Sequence, residues 1–360
     1  MALSAFGQTP PVDLANISLG DLLNAKIIRS QTNVPDYGAS PERISVGYLD
    51  SGRFHFSANY INVKFDGYMK GTKDVSMDDV LWSGPNSNEA RTDENFPIVP
   101  TVIYQQAIQF KGAYDLSEQF SVSLSIPYIR QETEHISFKP GFEEFTIVSE
   151  GIGDVELGAT WLHRLSQNSS LLLNLGFSLP TGSIDETGDT PSLGPDNQLP
   201  YTMQLGSGTY DIKPSIVYSG VTGDWTYGAN LNLTLRTGKN DRDYRLGNVY
   251  QAGIWTRYAL TDWIQPSFGI DGVVWDEISG KDPALPYDSN NDRYPAAVVK
   301  PDNFGGTKLL ALVGLRLKDP RGRLENTFLE FEAGAPIYQK LNGPQPSEDL
   351  RFSASLVLSF

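Results

Sequence analysis

The chain has 360 residues, a net charge of −15, no cysteine and three histidines. Without cysteine there is no disulfide framework, thiol nucleophile or Cys-based zinc site, and His55, His135 and His163 are too few and too scattered for a metal centre. The acidic balance excludes a nucleic-acid partner, which needs clustered Lys and Arg, and no run approaches the roughly 18 apolar residues of a membrane helix.

Residues 1–50 stand apart from the rest. Asp13 to Ile28 can form a short amphipathic helix with Ser18 as N-cap and Asp21 three residues on, a start resembling a capping box. This segment is expected either to rest at the periplasmic end of the following domain or to enter its lumen. No secretory signal peptide is legible after Met1, which reads as a mature chain carrying a start Met or as one that is not exported.

Residues 51–360 read as one domain of strands. A period-two alternation begins around 53–66, where the apolar parity shifts between Tyr60 and Ile61 and implies a bulge. It recurs at 102–114, 120–128, 155–161, 171–179, 210–218 and 227–235. It continues at 250–258, 264–274, 309–317, 329–335 and 350–360, twelve strands in all. The connections alternate between long (67–98, 131–148, 181–205, 277–303) or medium (238–245, 340–349) and short (115–118, 164–169, 219–224, 260–263, 318–325). Two short turns look alike, Tyr114-Asp115-Leu116-Ser117-Glu118 and Tyr258-Ala259-Leu260-Thr261-Asp262.

Short turns at one end and long loops at the other describe an all-β fold, a transmembrane antiparallel up-and-down barrel of the bacterial outer membrane. An even strand count puts both chain ends on the short-turn, periplasmic side. A soluble sandwich also alternates. The membrane is favoured by candidate girdle aromatics (Tyr128, Trp161, Tyr218, Trp225, Tyr258, Trp263), by the loop asymmetry and by a final strand that ends on Phe360. On the opposite parity lie the lumen candidates Asp154, Glu156, Asp211, Lys213, Arg236, Arg257, Asp271, Lys308, Arg316, Glu330, Glu332 and Arg351. Their mixed signs argue for pairing along the wall more than for an ion-selective ring, while acidic loops should draw cations to the outer mouth.

The stretches GIGDVELG at 151–158, LNLGFSLPTGS at 173–183 and LGSGTYDIKPSIVYSG at 205–220 are similar to motifs of the outer-membrane channels described as meta-pathway phenol degradation-like proteins. The resemblance implies a monomeric twelve-stranded channel that passes small, often hydrophobic or aromatic, molecules without a cofactor. The motif glycines also have a reading of their own, as sites where the wall bends or approaches itself closely. Phe360 resembles the terminal aromatic that outer-membrane proteins present to their assembly machinery.

Other chemistries are weaker. His55-Phe56-Ser57-Ala58-Asn59 supplies the residue types of an outer-membrane phospholipase, but the parity places all three polar residues in the lumen, away from acyl chains. Asp288, Asn290 and Asp292 offer oxygens for calcium, and otherwise belong to an acidic loop that is merely solvated or meets lipopolysaccharide through divalent cations. The expected function is passive diffusion of a small-molecule permeant. The alternative is a scaffolding barrel that docks a periplasmic or surface partner, with phospholipase last.

Overall fold

The fold is known from a computed structural model in which residues 52–191, 194–291, 293–319 and 327–359 are described. The alternating segments become strands β1 (Phe54–Gly71), β2 (Lys73–Val75), β3 (Ile98–Asp115), β4 (Phe120–Ser137), β5 (Glu144–Ile152), β6 (Val155–Ser166) and β7 (Ser169–Leu179). A single helical turn, α1 (Met77–Val80), follows β2. A loop ribbon of β8 (Thr187–Thr190) and β9 (Gly194–Gln198) leads to β10 (Tyr210–Thr222) and β11 (Trp225–Thr237). Then come β12 (Tyr244–Arg245), β13 (Val249–Tyr258), β14 (Ile264–Trp275), β15 (Ser279–Gly280), β16 (Gly306–Lys318) and β17 (Phe328–Ser359).

The long strands pair antiparallel with their neighbours, and the wall closes where β17 meets β1, from His55 opposite Ser359 to Lys64 opposite Leu350. Closure removes the unpaired edge that lipid would not tolerate. The chain crosses twelve times. β5 and β6 both pair with β4 and form one descending crossing, interrupted at Gly153-Asp154. β17 makes two crossings, rising beside β16 from Phe328 to Leu341 and descending beside β1 from Gln345 to Ser359. Gln339 Nε2 donates to the Glu348 carbonyl at 3.0 Å across these two arms, so the connection expected at 340–349 is strand nearly to its tip.

The two similar short turns share one geometry. In the first, Leu116 N donates to Phe120 O at 2.8 Å, and Ser117 Oγ accepts from Phe120 N at 3.0 Å. In the second, Leu260 N donates to Ile264 O at 3.1 Å, and Thr261 Oγ1 accepts from Ile264 N at 3.0 Å. A hydroxyl at that position fixes the turn by binding the backbone two or three residues on.

The wall exchanges its faces at one level. On β1, β3, β4 and β5 the outward rung Tyr60, Ile108, Tyr128 and Ile152 is apolar. The next outward rung, Asn62, Gln106, Arg130 and Glu150, is polar, with Arg130 Nη1 2.6 Å from Glu150 Oε2. Inside, the order reverses: Ser57, Lys111 and Ser125 lie low, whereas Ile61, Ala107 and Ile129 lie level with the exchange, and Val63, Phe65 and Ile103 above it. Phe120 to Tyr128 covers about 27 Å along the strand at ~3.4 Å per residue. A tilt of about 40° makes that about 21 Å of height, close to a membrane barrel's apolar band.

This exchange corrects the bulge expected between Tyr60 and Ile61. The register of β1 is unbroken from His55 to Lys64 against both neighbours, and its first irregularity falls at Lys64/Phe65. The apolar parity shifts because the solvent shifts: above the bilayer the outside is water and the inside is core. The same cause makes 131–148 mostly strand, because outward polar residues above the membrane look like loop in sequence.

The upper barrel is packed with Ile61, Val63, Phe65, Ile103, Ile129, Leu205 and Trp275, each side chain worth about 1.5–3 kcal/mol on full burial. Above it the long loops form a cap around Tyr201, Tyr244, Ile278, Val298 and Phe304. Tyr201 meets Tyr244 and Phe304 edge-on at 4.8 and 5.2 Å, and its hydroxyl accepts from Asp282 N at 3.0 Å. Burial in the cap pushes the Tyr201 and Tyr244 phenols up.

Candidate functional site

Three glycine-bearing stretches meet in the wall: Gly151 to Asp154 at the β5/β6 break, Leu179 to Gly182 at the end of β7, and Leu205 to Gly208 before β10. Asp154 joins them. Its carboxylate accepts from Gly182 N at 2.9 Å, from Ser207 N at 2.8 Å and from Ser207 Oγ at 2.9 Å. Thr181 Oγ1 spans the break, donating to Gly153 O at 3.0 Å and accepting from Val155 N at 2.8 Å. A Cβ on Gly206 would fall 2.5 Å from Gly182 O and 2.6 Å from Asp154 Oδ1, so this crossing requires glycine. Asp211 completes the clasp: Thr209 Oγ1 donates to it at 2.7 Å, Ser207 Oγ lies 3.1 Å away, and Arg236 pairs with it.

A second group of charges lines the lumen where β13, β16 and β17 face it. Glu330 accepts from Arg316 Nε at 2.8 Å and from Arg257 Nη2 at 3.3 Å. Glu348 holds Arg351 in a fork at 2.7 and 2.8 Å and also pairs with Lys308. Asp271 accepts from Gln251 Nε2 at 3.4 Å. Glu332 shares the inward parity of Glu330. Like signs are separated by opposite ones, which stiffens the wall and leaves no ring of one sign among the described residues.

On the lumen side of β3, β4, β6, β7, β10, β11 and β13 lies a small cavity of about 40 Å³. Lys111, Glu156 and Lys213 contribute its charges, and Lys213 Nζ lies 3.3 Å from Glu156 Oε2. Around them runs a belt of hydroxyls and amides. Thr160 Oγ1 donates to Asn174 Oδ1 at 2.7 Å, and Asn174 Nδ2 donates to Ser215 Oγ at 3.1 Å. Gly176 leaves the room that Glu156 occupies, since a Cβ there would lie 2.7 Å from Glu156 Oε1.

The predicted lumen residues thus separate by position. Asp154, Asp211 and Arg236 belong to the clasp, Glu156 and Lys213 to the cavity, and Arg257, Asp271, Arg316, Glu330, Glu332 and Arg351 to the opposite wall. Lys111 and Glu348 were missed. The parity of Phe110 could have placed Lys111 inside, whereas Glu348 falls in a stretch that reads as loop.

The phospholipase residue types do not assemble. His55 Nε2 lies 2.8 Å from Asp115 Oδ2, Ser57 Oγ accepts from Asn59 Nδ2 at 3.1 Å, and all three residues face the lumen. His135, expected in or beside a loop, is in β4 and stacks on Phe145 at 4.7 Å. Asp288 accepts from Asn290 N at 3.0 Å and from Asn291 Nδ2 at 2.7 Å, which holds its carboxyl below the usual range. Asp292 lies outside the described residues, among which no group of three His, Asp or Glu could hold a metal. The helix expected in 1–50 and the terminal Phe360 also lie outside them. The acidic loop at 182–205, which contains no base, receives one from elsewhere: Arg242 Nε donates to Asp185 at 2.7 Å.

A closed antiparallel barrel that exposes Phe110, Leu124, Ile216, Leu231, Ile254 and Phe268 on its outer face is a transmembrane barrel of the bacterial outer membrane. A family model described as "Putative MetA-pathway of phenol degradation" matches residues 112–301, more than half of the chain, and the chain belongs to that family. Among solved structures, it is similar to the COG4313 outer membrane channel from Pseudomonas putida F1. The TM-score is 0.55 at 15% identity, covering 89% of this chain and 100% of that one. A Pseudomonas aeruginosa FadL homologue aligns more loosely, at TM-score 0.38 and 12% identity over 86% of this chain and 90% of that one. No curated protein sequence matches the chain.

Proposed function

We propose that the protein is an outer-membrane channel through which small molecules diffuse passively. The observation that carries this reading is the lumen of a closed barrel lined, on seven neighbouring crossings, by hydroxyl, amide and charged side chains around a small cavity. A barrel built only to anchor a partner gains nothing from polar groups facing its lumen at that depth, where burial is costly unless they are paired or wet. The family membership and the channel fold of the Pseudomonas putida neighbour support the same reading. The protein acts as a monomer, with lipid around its belt and lipopolysaccharide against its loops, and it needs no cofactor.

Conductance of the purified full chain in planar bilayers tests this, beside a form lacking residues 1–45. Discrete current steps from either form are expected, larger in the shortened one if the N-terminal segment enters the lumen. A barrel that folds but never conducts in either form would favour the scaffolding role.

A further inference from the structure

We infer that the segment Leu199–Leu205 is a gate, and that Leu205 is the side chain it moves into and out of the pore. The gate rests on the channel reading, since a closure matters only where something passes, whereas the seat beneath it rests on geometry. Phe65 of β1, Ile103 of β3 and Ile129 of β4 form one buried apolar cluster with Val249 of β13 and Trp275 of β14. Between β3 and β13 lie β4, β5/β6, β7, β10 and β11 one way, and β1, the two arms of β17, β16 and β14 the other. The two strands therefore face each other, and the cluster spans the lumen. Val249 also lines the cavity, so the cluster lies between that cavity and the cap. An apolar constriction of this kind keeps water and ions out by dewetting.

Among the described residues of that cluster, Leu205 alone lies outside a strand. The others are fixed by ladder bonds to neighbouring strands, and moving one would open the wall itself. Leu205 is held from a loop: its N–H and that of Gly206 both donate to Ser183 O, at 2.9 and 3.1 Å. The residues before it are pinned to the inner face of β4 and β5 by wall side chains. Ser149 Oγ donates to Met203 O at 2.6 Å, Gln131 Nε2 to Gln204 O at 2.9 Å, and Thr133 Oγ1 to Met203 Sδ at 3.2 Å. Water replaces such bonds at small net cost. Gly151 and Gly153 form the seat. A Cβ on Gly151 would fall 2.9 Å from Leu205 Cδ1, and one on Gly153 3.0 Å from Leu205 O, so Leu205 settles into a recess that only glycines leave. Beyond it Ser207 stays anchored on Asp154, and before it Tyr201 belongs to the cap. Lifting Leu205 and loosening the cap are thus one motion.

The test exploits a chain without cysteine. In Gly151→Cys combined with Leu205→Cys the two thiols lie close enough to bridge, and oxidation should lock the segment on the wall. In planar bilayers, current steps of the oxidised protein should be about tenfold rarer than those of the same protein after reduction, because an apolar gate decides whether the pore is wet. Leu205→Gly, shown to be folded by gel mobility, should conduct more often than wild type. Equal current before and after reduction, with the bridge confirmed by thiol titration, would overturn the gate and leave the channel reading standing. A second measurement needs neither current nor bridge: Leu205→Cys alone should react slowly but completely with a water-soluble maleimide in the folded barrel. No reaction there, while the unfolded chain reacts, would overturn the gate whether or not the barrel conducts. Complete labelling without current from any form would remove the channel reading and keep the moving segment.

Discussion

Replacing Arg236 by Met isolates the contribution of the clasp. The Arg236 and Asp211 side chains are 2% and 0% exposed, so this is a buried pair, not a surface one of little worth. Removing the cation leaves Asp211 with Thr209 Oγ1 and Ser207 Oγ as donors but with no countercharge. Breaking a buried pair from one side costs about 3–5 kcal/mol. At about 1.4 kcal/mol per tenfold, that is two to four orders of magnitude in the folding equilibrium. The backbone bond from Arg236 N to Asn248 Oδ1 at 2.9 Å survives the change, so strand register is kept. The assay is guanidinium unfolding of vesicle-inserted protein, read by the gel-mobility difference between folded and unfolded barrel. Arg236→Met combined with Asp211→Asn should recover most of the loss, since the uncompensated charge is then gone. A single variant within about 0.5 kcal/mol of wild type, inside the range of an ordinary surface substitution, would refute the assignment of a dry, load-sharing pair.

Gly206→Ala should destabilise the barrel by about 1–3 kcal/mol through overlap with Gly182 O, seen as a lower denaturant midpoint in the same assay. Tyr201→Phe leaves Asp282 N without its acceptor, at a cost of about 1–3 kcal/mol confined to the cap. Faster amide exchange around Asp282, with an unchanged global midpoint, is the expected result. Deleting Phe360 should lower the amount of assembled barrel recovered from outer membranes while purified protein still refolds in vitro.

The crossings were legible because alternation with period two survives any loop length. Leu171 to Leu179 and Leu309 to Leu317 put the expected residues outward without exception. The reading failed where the solvent on one face changes along a strand. Ile61, Val63 and Phe65 are inward like Ser57 and Asn59 before them, but their apolarity suggested a change of register where there is none. The clasp was visible as three glycine motifs, yet their meeting depends on two loops crossing within a Cβ of each other, a distance no spacing encodes. The cavity was harder still. Lys111, Glu156 and Lys213 belong to β3, β6 and β10, and they become neighbours only when the barrel curves.

The exchange of faces at the Tyr60–Tyr128 level has a thermal consequence. Below it, outward side chains lie against lipid whether or not the lumen and loops are ordered, so disordering them changes little apolar hydration there. Above it, Phe65, Ile103, Trp275 and the cap around Tyr201 are sheltered from water, and loosening them wets them. The heat capacity of any opening therefore originates in the upper half and the cap. Because sheltering apolar groups from water is weaker in the cold, cooling should relax the outer vestibule first while the belt in the bilayer holds its shape. A channel built this way would have an entrance with a temperature coefficient of its own, independent of the pore below it.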